Sequence, residues 1–190
     1  MGTPYAEAIR HWETSVWTPA PPLPEVNLPE LAAQATRVFE GDQAFSGNLV
    51  ITDNVLVRGS ATITGAVTFR GLLVVEGDLM VTGNVIYTCS GPVGAVTLGN
   101  LQVRGNCRMS REAPGTAGAS FPAVVSLRGN IELAGSAEVC GSVYAMGTGA
   151  GGLITLQGNI RLKGGAYGRR VISEGDVDLD RVWQTVWASA

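Results

Sequence analysis

Glycine, or a residue standing in for it, recurs every six residues at Gly47, Asp53, Gly59, Gly65, Gly71, Gly77 and Gly83. The beat returns at Gly99 and Gly105, at Gly129, Gly135, Gly141 and Gly147, and at Gly158 and Gly164. A short fixed period marks one structural unit stacked many times. Each unit reads glycine, a small or polar residue, then a strand. Counting glycine as position one, positions three and five are apolar, as in Leu49/Ile51, Val55/Val57, Ala61/Ile63, Val67/Phe69, Leu73/Val75, Leu79/Val81 and Val85/Tyr87. Alternation with period two sends these side chains to one side of a strand. Positions four and six, such as Thr62/Thr64, Thr68/Arg70 and Met80/Thr82, point away. Glycine takes the corner, where the backbone bends and a Cβ is unwelcome. Three such sides close a triangle of about eighteen residues, and coils stack about 4.8 Å apart. The pattern predicts an all-β fold, a triangular β-solenoid (β-helix) of about six coils.

In this reading side one starts at Gly47, Gly65, Gly83, Gly105, Gly135 and Gly158. Side two starts at Asp53, Gly71, near Val93, near Ala123, Gly141 and Gly164, and side three at Gly59, Gly77, Gly99, Gly129 and Gly152. Residues 93–98 read against the pattern, with Ala95/Thr97 inside and Val96/Leu98 outside, and residues 169–180 are irregular. Insertions interrupt the beat at 89–92, 111–122 and 147–151. The first two fall at the corner after side one in consecutive coils, so they are expected to protrude together. Loops on a rigid scaffold are where binding concentrates, which makes Arg111, Glu112 and Phe121 candidate interface residues; simple tolerance of insertions is the other reading.

The outer faces differ. Side three is polar outside, with Thr62, Thr64, Thr82, Gln102, Arg104, Glu132, Thr155 and Gln157. Side two carries Leu56, Val74, Val96, Tyr144 and Tyr167, with Met146 beside them, a candidate apolar face that needs a cover or a second subunit. Residues 3–17 read as an amphipathic helix opened by Thr3 and Pro4, and its Ile9, Trp12, Val16 and Trp17 supply such a cover. A proline-rich linker, Pro19–Pro24, leads to Asn27-Leu28-Pro29-Glu30, a capping box for a second helix over about 28–38. Asp180 is placed to cap a short helix bearing Val182, Trp183, Val186 and Trp187. The expected organisation is therefore N-terminal helices and linker at 1–40 packing on or capping the solenoid, the solenoid at 41–180, and a C-terminal cap at 181–190. Trp12, Trp17, Trp183 and Trp187 are the candidate cap residues. Open solenoid ends invite another chain, so plugged ends point to a finite module.

The chemistry is sparse. A length of 190 residues fits one domain, and 45% hydrophobic content is enough for a sizeable core. A net charge of −3 with no basic stripe argues against a nucleic-acid partner. No apolar run reaches the length of a membrane span, so no direct membrane insertion by this chain is expected. The opening MGTPYAEAIRHW has no signal-peptide core, which leaves a cytoplasmic location or a targeting segment upstream of this sequence. His11 is the only histidine and precedes the repeats, so neither a histidine base between coils nor a histidine metal site is expected. Glu174, Asp176, Asp178 and Asp180 alternate along one strand, too few oxygens in one line for calcium. Cys89, Cys107 and Cys140 have no metal-ligand spacing; Cys107 reads as core, and Cys89 and Cys140 lie near one corner about two coils apart, too far for an unforced disulfide. No enzyme activity, cofactor or metal is expected.

Segments such as 71–85, GLLVVEGDLMVTGNV, and 129–137, GNIELAGSA, resemble the repeats of solenoid-bearing type IV pilus assembly proteins and pilin-like bacterial surface proteins. The proline-punctuated lead-in 21–30, PPLPEVNLPE, is similar to the one that precedes the first repeat in that family. The resemblance spans about residues 20–175 and implies a non-enzymatic structural or adhesive module. It would be displayed outside the cell, with pilus or envelope proteins as partners. The family's N-terminal membrane helix is absent from this sequence. The repeats also resemble bactofilins, cytoskeletal proteins that polymerise end to end, which implies self-association, a cytoplasmic location and a right-handed coil.

Overall fold

The computed structural model of the chain describes residues 25–89, 91–111 and 122–184. One short helix, α1 (Leu28–Ala33), precedes thirteen strands. These are β1 (Arg37–Glu40), β2 (Gln43–Ile51), β3 (Val55–Arg58), β4 (Ala61–Arg70), β5 (Leu73–Val75), β6 (Leu79–Cys89), β7 (Ala95–Thr97), β8 (Leu101–Arg111), β9 (Pro122–Ser126), β10 (Ile131–Cys140), β11 (Ser142–Ala145), β12 (Leu153–Gly168) and β13 (Arg170–Gln184). Every pairing is parallel and all strands belong to one sheet wound on itself. Long strands form sides three and one as a single bent element, and short strands form side two, except that β12 and β13 run on into side two themselves. The rungs β2, β4, β6, β8, β10, β12 and β13 make seven coils.

The coil count exceeds the expected six at both ends. Gly41 opens a side that continues through β2, and Arg37–Glu40 is already a side-two strand paired with β3. At the other end Gly158 pairs with Gly175, whose coil is one residue shorter (Gln157 bonds Glu174, a separation of 17) and so hides from a six-residue count. Among the described residues the strands thus extend beyond 41–180, from Arg37 through Gln184.

The inward positions build one continuous core from Phe45 to Ala166. Phe69 and Tyr87 stack with ring centroids 5.4 Å apart, and the Tyr87 hydroxyl donates to the Gly71 carbonyl at 2.7 Å, so the only inward phenol on this rung is satisfied. Ala95 and Thr97 do point inward and Val96 outward, as the register requires: Leu73, Val74 and Val75 pair with Ala95, Val96 and Thr97. Thr97 is tolerated inside because its hydroxyl donates to the Gly77 carbonyl, and Ser126 one coil on donates to Gly99 O at 2.8 Å. Side two of that later coil is set one residue earlier than expected, from Pro122, with Val124 inside.

A second ladder runs up the corner before side three. Asp42 Oδ1 accepts from Ser60 N at 2.7 Å, Ser60 Oγ from Asp78 N at 3.2 Å, and Asp78 Oδ1 from Asn100 N at 2.6 Å. Asn100 Oδ1 then accepts from Asn130 N at 3.0 Å, and Asn130 Oδ1 from Leu153 N at 2.9 Å. Each small polar residue after the corner glycine thus satisfies the backbone donor one coil on, where the chain turns and ladder bonds fail.

Helix α1 starts where the capping box places it, with Asn27 Oδ1 accepting from Glu30 N. It ends at Ala33 rather than near 38, because Thr36 N and Arg37 N bond Asn54 O and draw the chain into β1. Asn54 also donates to Gln34 O at 3.1 Å, which fixes the helix end on the solenoid flank. The expected helix after Asp180 is not formed up to Gln184: β13 continues as a strand in which Trp183 pairs with Tyr167. Trp12, Trp17, Glu112, Phe121 and Trp187 lie outside the described residues.

Candidate functional site

The side-two stripe is closed from solvent. Leu56, Val74, Val96, Val125, Tyr144 and Tyr167 are buried, in a cluster that includes Leu31 of α1 together with Leu72 and Val93. Val26, Leu28, Ala32 and Ala35 flank it. The described part of the cover is thus the second helix and its lead-in, whereas the 3–17 segment lies outside the described residues. Tyr144 and Tyr167 stack at 4.5 Å with planes 7° apart, an arrangement set by their direct pairing in β11 and β12.

Of the two corner insertions, only the first has its flanking residues described on both sides close to the corner. At the first, Cys89 is buried, its Sγ donates to Val93 O at 2.8 Å and accepts from Gly91 N at 3.2 Å, which holds the described residues on either side of the corner together. Beyond it Gly94 N bonds Pro122 O, tying the corner to the next coil. The second insertion lies outside the described residues apart from its flanks, and Arg111 is described only as the last residue of β8.

Side one offers a surface that the glycine pattern did not single out. Between the columns Asn84, Asn106, Ser136, Asn159 and Ile86, Arg108, Glu138, Arg161 runs a shallow trough of about 450 Å³. Asn106 Nδ2 donates to Asn84 Oδ1 at 2.9 Å. Glu138 meets Lys163 Nζ at 3.0 Å and Arg108 Nε at 3.5 Å. The Lys163 hydrogen bond, with nearby cationic charge, holds the Glu138 carboxyl below its usual range, and the same contact raises Lys163. A carboxylate kept ionised by two cations accepts hydrogen bonds and is a poor proton donor near neutrality. The sequence signal for this trough is the asparagine at position two of side one in several coils, Asn48, Asn84, Asn106 and Asn159.

The acidic line is real but open. Glu174, Asp176 and Asp178 are exposed on β13, and Gln157 donates to Glu174 at 3.1 Å. Among the described residues no group of three or more His, Cys, Asp or Glu could hold a metal. No helix among them is long and apolar enough to cross a membrane. The cysteines form no disulfide; Cys107 is buried in the core and its thiol is pushed up to about 12 by burial, while Cys140 is part-exposed.

The two ends of the solenoid differ. β1 and β2 are the first strands of the sheet and each pairs on one edge only among the described residues. Around that edge Val38 is 47%, Leu49 37% and Val50 70% exposed, and Phe39 and Phe45 meet edge to face at 5.5 Å. α1 lies against the side-two cluster and leaves these residues exposed. At the other end the outer positions of β13 carry the carboxylates.

These features define a class: a parallel, triangular β-solenoid with a closed core and a helix laid on one flank. Comparison with family models, curated proteins and solved structures finds no match to this chain.

Proposed function

We propose that the protein is a non-enzymatic structural module, displayed at the bacterial surface as a pilus-associated, pilin-like component that binds envelope or appendage proteins. The observation that carries this reading is the allocation of residues. Nearly every inward position is spent on one sealed core and nearly every corner on stacking, while a long insertion is admitted between β8 and β9 without breaking the register of β8 with β10. That is the design of a stiff spacer. Arg111, Glu112 and Phe121 in and beside that insertion are the residues assigned to partner contact.

A second reading, a bactofilin-like cytoskeletal polymer, is favoured by the one-sided pairing and exposed apolar residues of β2. Cell fractionation separates the two. Digestion of the protein by protease added to intact cells, with release alongside sheared appendages, is expected for the display module. Protection from protease in whole cells, with the protein in filaments under the inner membrane, would replace it with the polymer reading.

A further inference from the structure

The unlike ends of the solenoid determine how two copies can meet. We infer that the N-terminal edge is a self-association surface for a second copy of this chain, and that two copies join N-terminal end to N-terminal end and stop there. An unpaired strand edge offers backbone donors and acceptors to any chain that reaches it. Among the described residues β2 presents nine residues of such an edge, Gln43–Ile51, with uncharged side chains along it and Leu49 and Val50 exposed. Two β2 strands related by a two-fold axis run antiparallel and can complete each other's hydrogen bonds. A contact of that kind is self-complementary and closes.

The other modes of contact are disfavoured by charge. In the molecule itself the acidic strand β13 lies beside partners that suit it: Glu174 beside Gln157, Asp176 beside Asn159, and Asp178 beside Arg161. Head-to-tail stacking that continued the coil would keep Glu174 and Asp176 beside uncharged polar residues, Ser46 and Asn48, but would set Asp178 beside apolar Val50 with no counterpart to Arg161. Contact between two C-terminal ends would set carboxylates against carboxylates, and like charges directly opposite are destabilising. Charged outer positions on an edge strand are a recognised block to pairing. The inference is independent of where the protein resides, so its failure leaves the display reading standing and is read from a different experiment.

Sedimentation of the full chain over a wide concentration range tests it. The expected result is a species of two chains. V50E, placed at an exposed position, is expected to sediment as one chain with unchanged circular dichroism and unfolding midpoint. The triple variant E174Q/D176N/D178N is expected to extend the pairs into longer rods. A wild type that stays a single chain throughout, or that forms long filaments unaided, overturns the inference. So does a two-chain species unaffected by V50E. A triple variant that remains two chains overturns the role given to the carboxylates.

Discussion

At Gly83 two separate demands meet. Its φ is +114°, which side-chain-bearing residues rarely adopt, and a Cβ there would stand 2.5 Å from the Gly65 carbonyl oxygen one coil below. Gly47 has a φ of +88° but begins the column and has nothing within 4 Å of the same point. Gly83→Ala therefore meets both backbone strain and a collision, whereas Gly47→Ala meets strain alone. Urea unfolding is expected to show a loss of about 1–2 kcal/mol for Gly47→Ala and a clearly larger one for Gly83→Ala. Equal losses would mean that stacking adds nothing to the requirement. The six-residue beat was legible because this corner repeats, but Gly175 escaped notice: the shortened coil before it shifts the count. The cysteines are a second residue-scale case. Cys89 and Cys107 are buried and Cys140 is part-exposed, so one thiol per chain is expected to react with a water-soluble disulfide reagent in the native state, and three in urea. The raised Cys107 value also fixes a sign. Stability from keeping that thiol neutral is full below the unfolded thiol range and is lost as pH climbs from there towards about 12.

Among the elements, the long strands and the first side-two strands, with Val55/Val57 and Leu73/Val75 inward, were readable from apolar alternation, whereas side two around β7 and β9 was not. In β5, β7, β9 and β11 inward and outward residues alike are buried, because one face meets the core and the other the α1-side cluster. Two-sided burial erases the alternation that identifies a strand, which is why Val96 looked misplaced. The extent of α1 was misread for a related reason: Thr36, Val38 and Phe39 fit a helical stripe as well as a strand, and the bonds from Thr36 and Arg37 to Asn54 decide between them. Asn54→Ala removes both the acceptor for Leu72 N and the donor to Gln34 O. A net loss of about 1–3 kcal/mol is expected, with faster amide exchange confined first to α1. On side one, Glu138 is held low chiefly by its hydrogen bond from Lys163. Its contribution is present above the ordinary carboxylate range and fades as pH falls through the lowered folded value. Glu138→Gln is expected to flatten the acid limb of the stability curve; an unchanged limb would show that solvent screening leaves this exposed cluster with no net effect.

For the whole molecule, the sequence carried the solenoid and its triangular section but left the ends unread. Ends are where a repeat stops obeying its own rule, so periodicity has least to say about them. The flanking tryptophans suggested plugs, yet Trp183 lies in a strand and α1 lies on a flank. Stability in such an array is close to a sum of neighbouring-coil terms. The coils bounded on both sides should therefore outlast the first and last. The fully buried Phe69 lies on β4, the second long rung, and Phe69→Ala is expected to cost about 3–5 kcal/mol. The comparable truncation of Leu49, 37% exposed at the open end, should cost clearly less. Calorimetry on the two variants compares them directly.

The central claim is that one continuous parallel ladder closes a triangle along the whole described chain and makes it a stiff body. Native-state amide exchange, followed strand by strand by mass spectrometry, tests it most directly. The account predicts that β4 to β12 exchange slowly and as one block, with the short side-two strands β5, β7, β9 and β11 as protected as the long rungs beside them. Rapid exchange of those short strands next to slow β4, β6, β8 and β10 would show that the triangle does not close, and would contradict it.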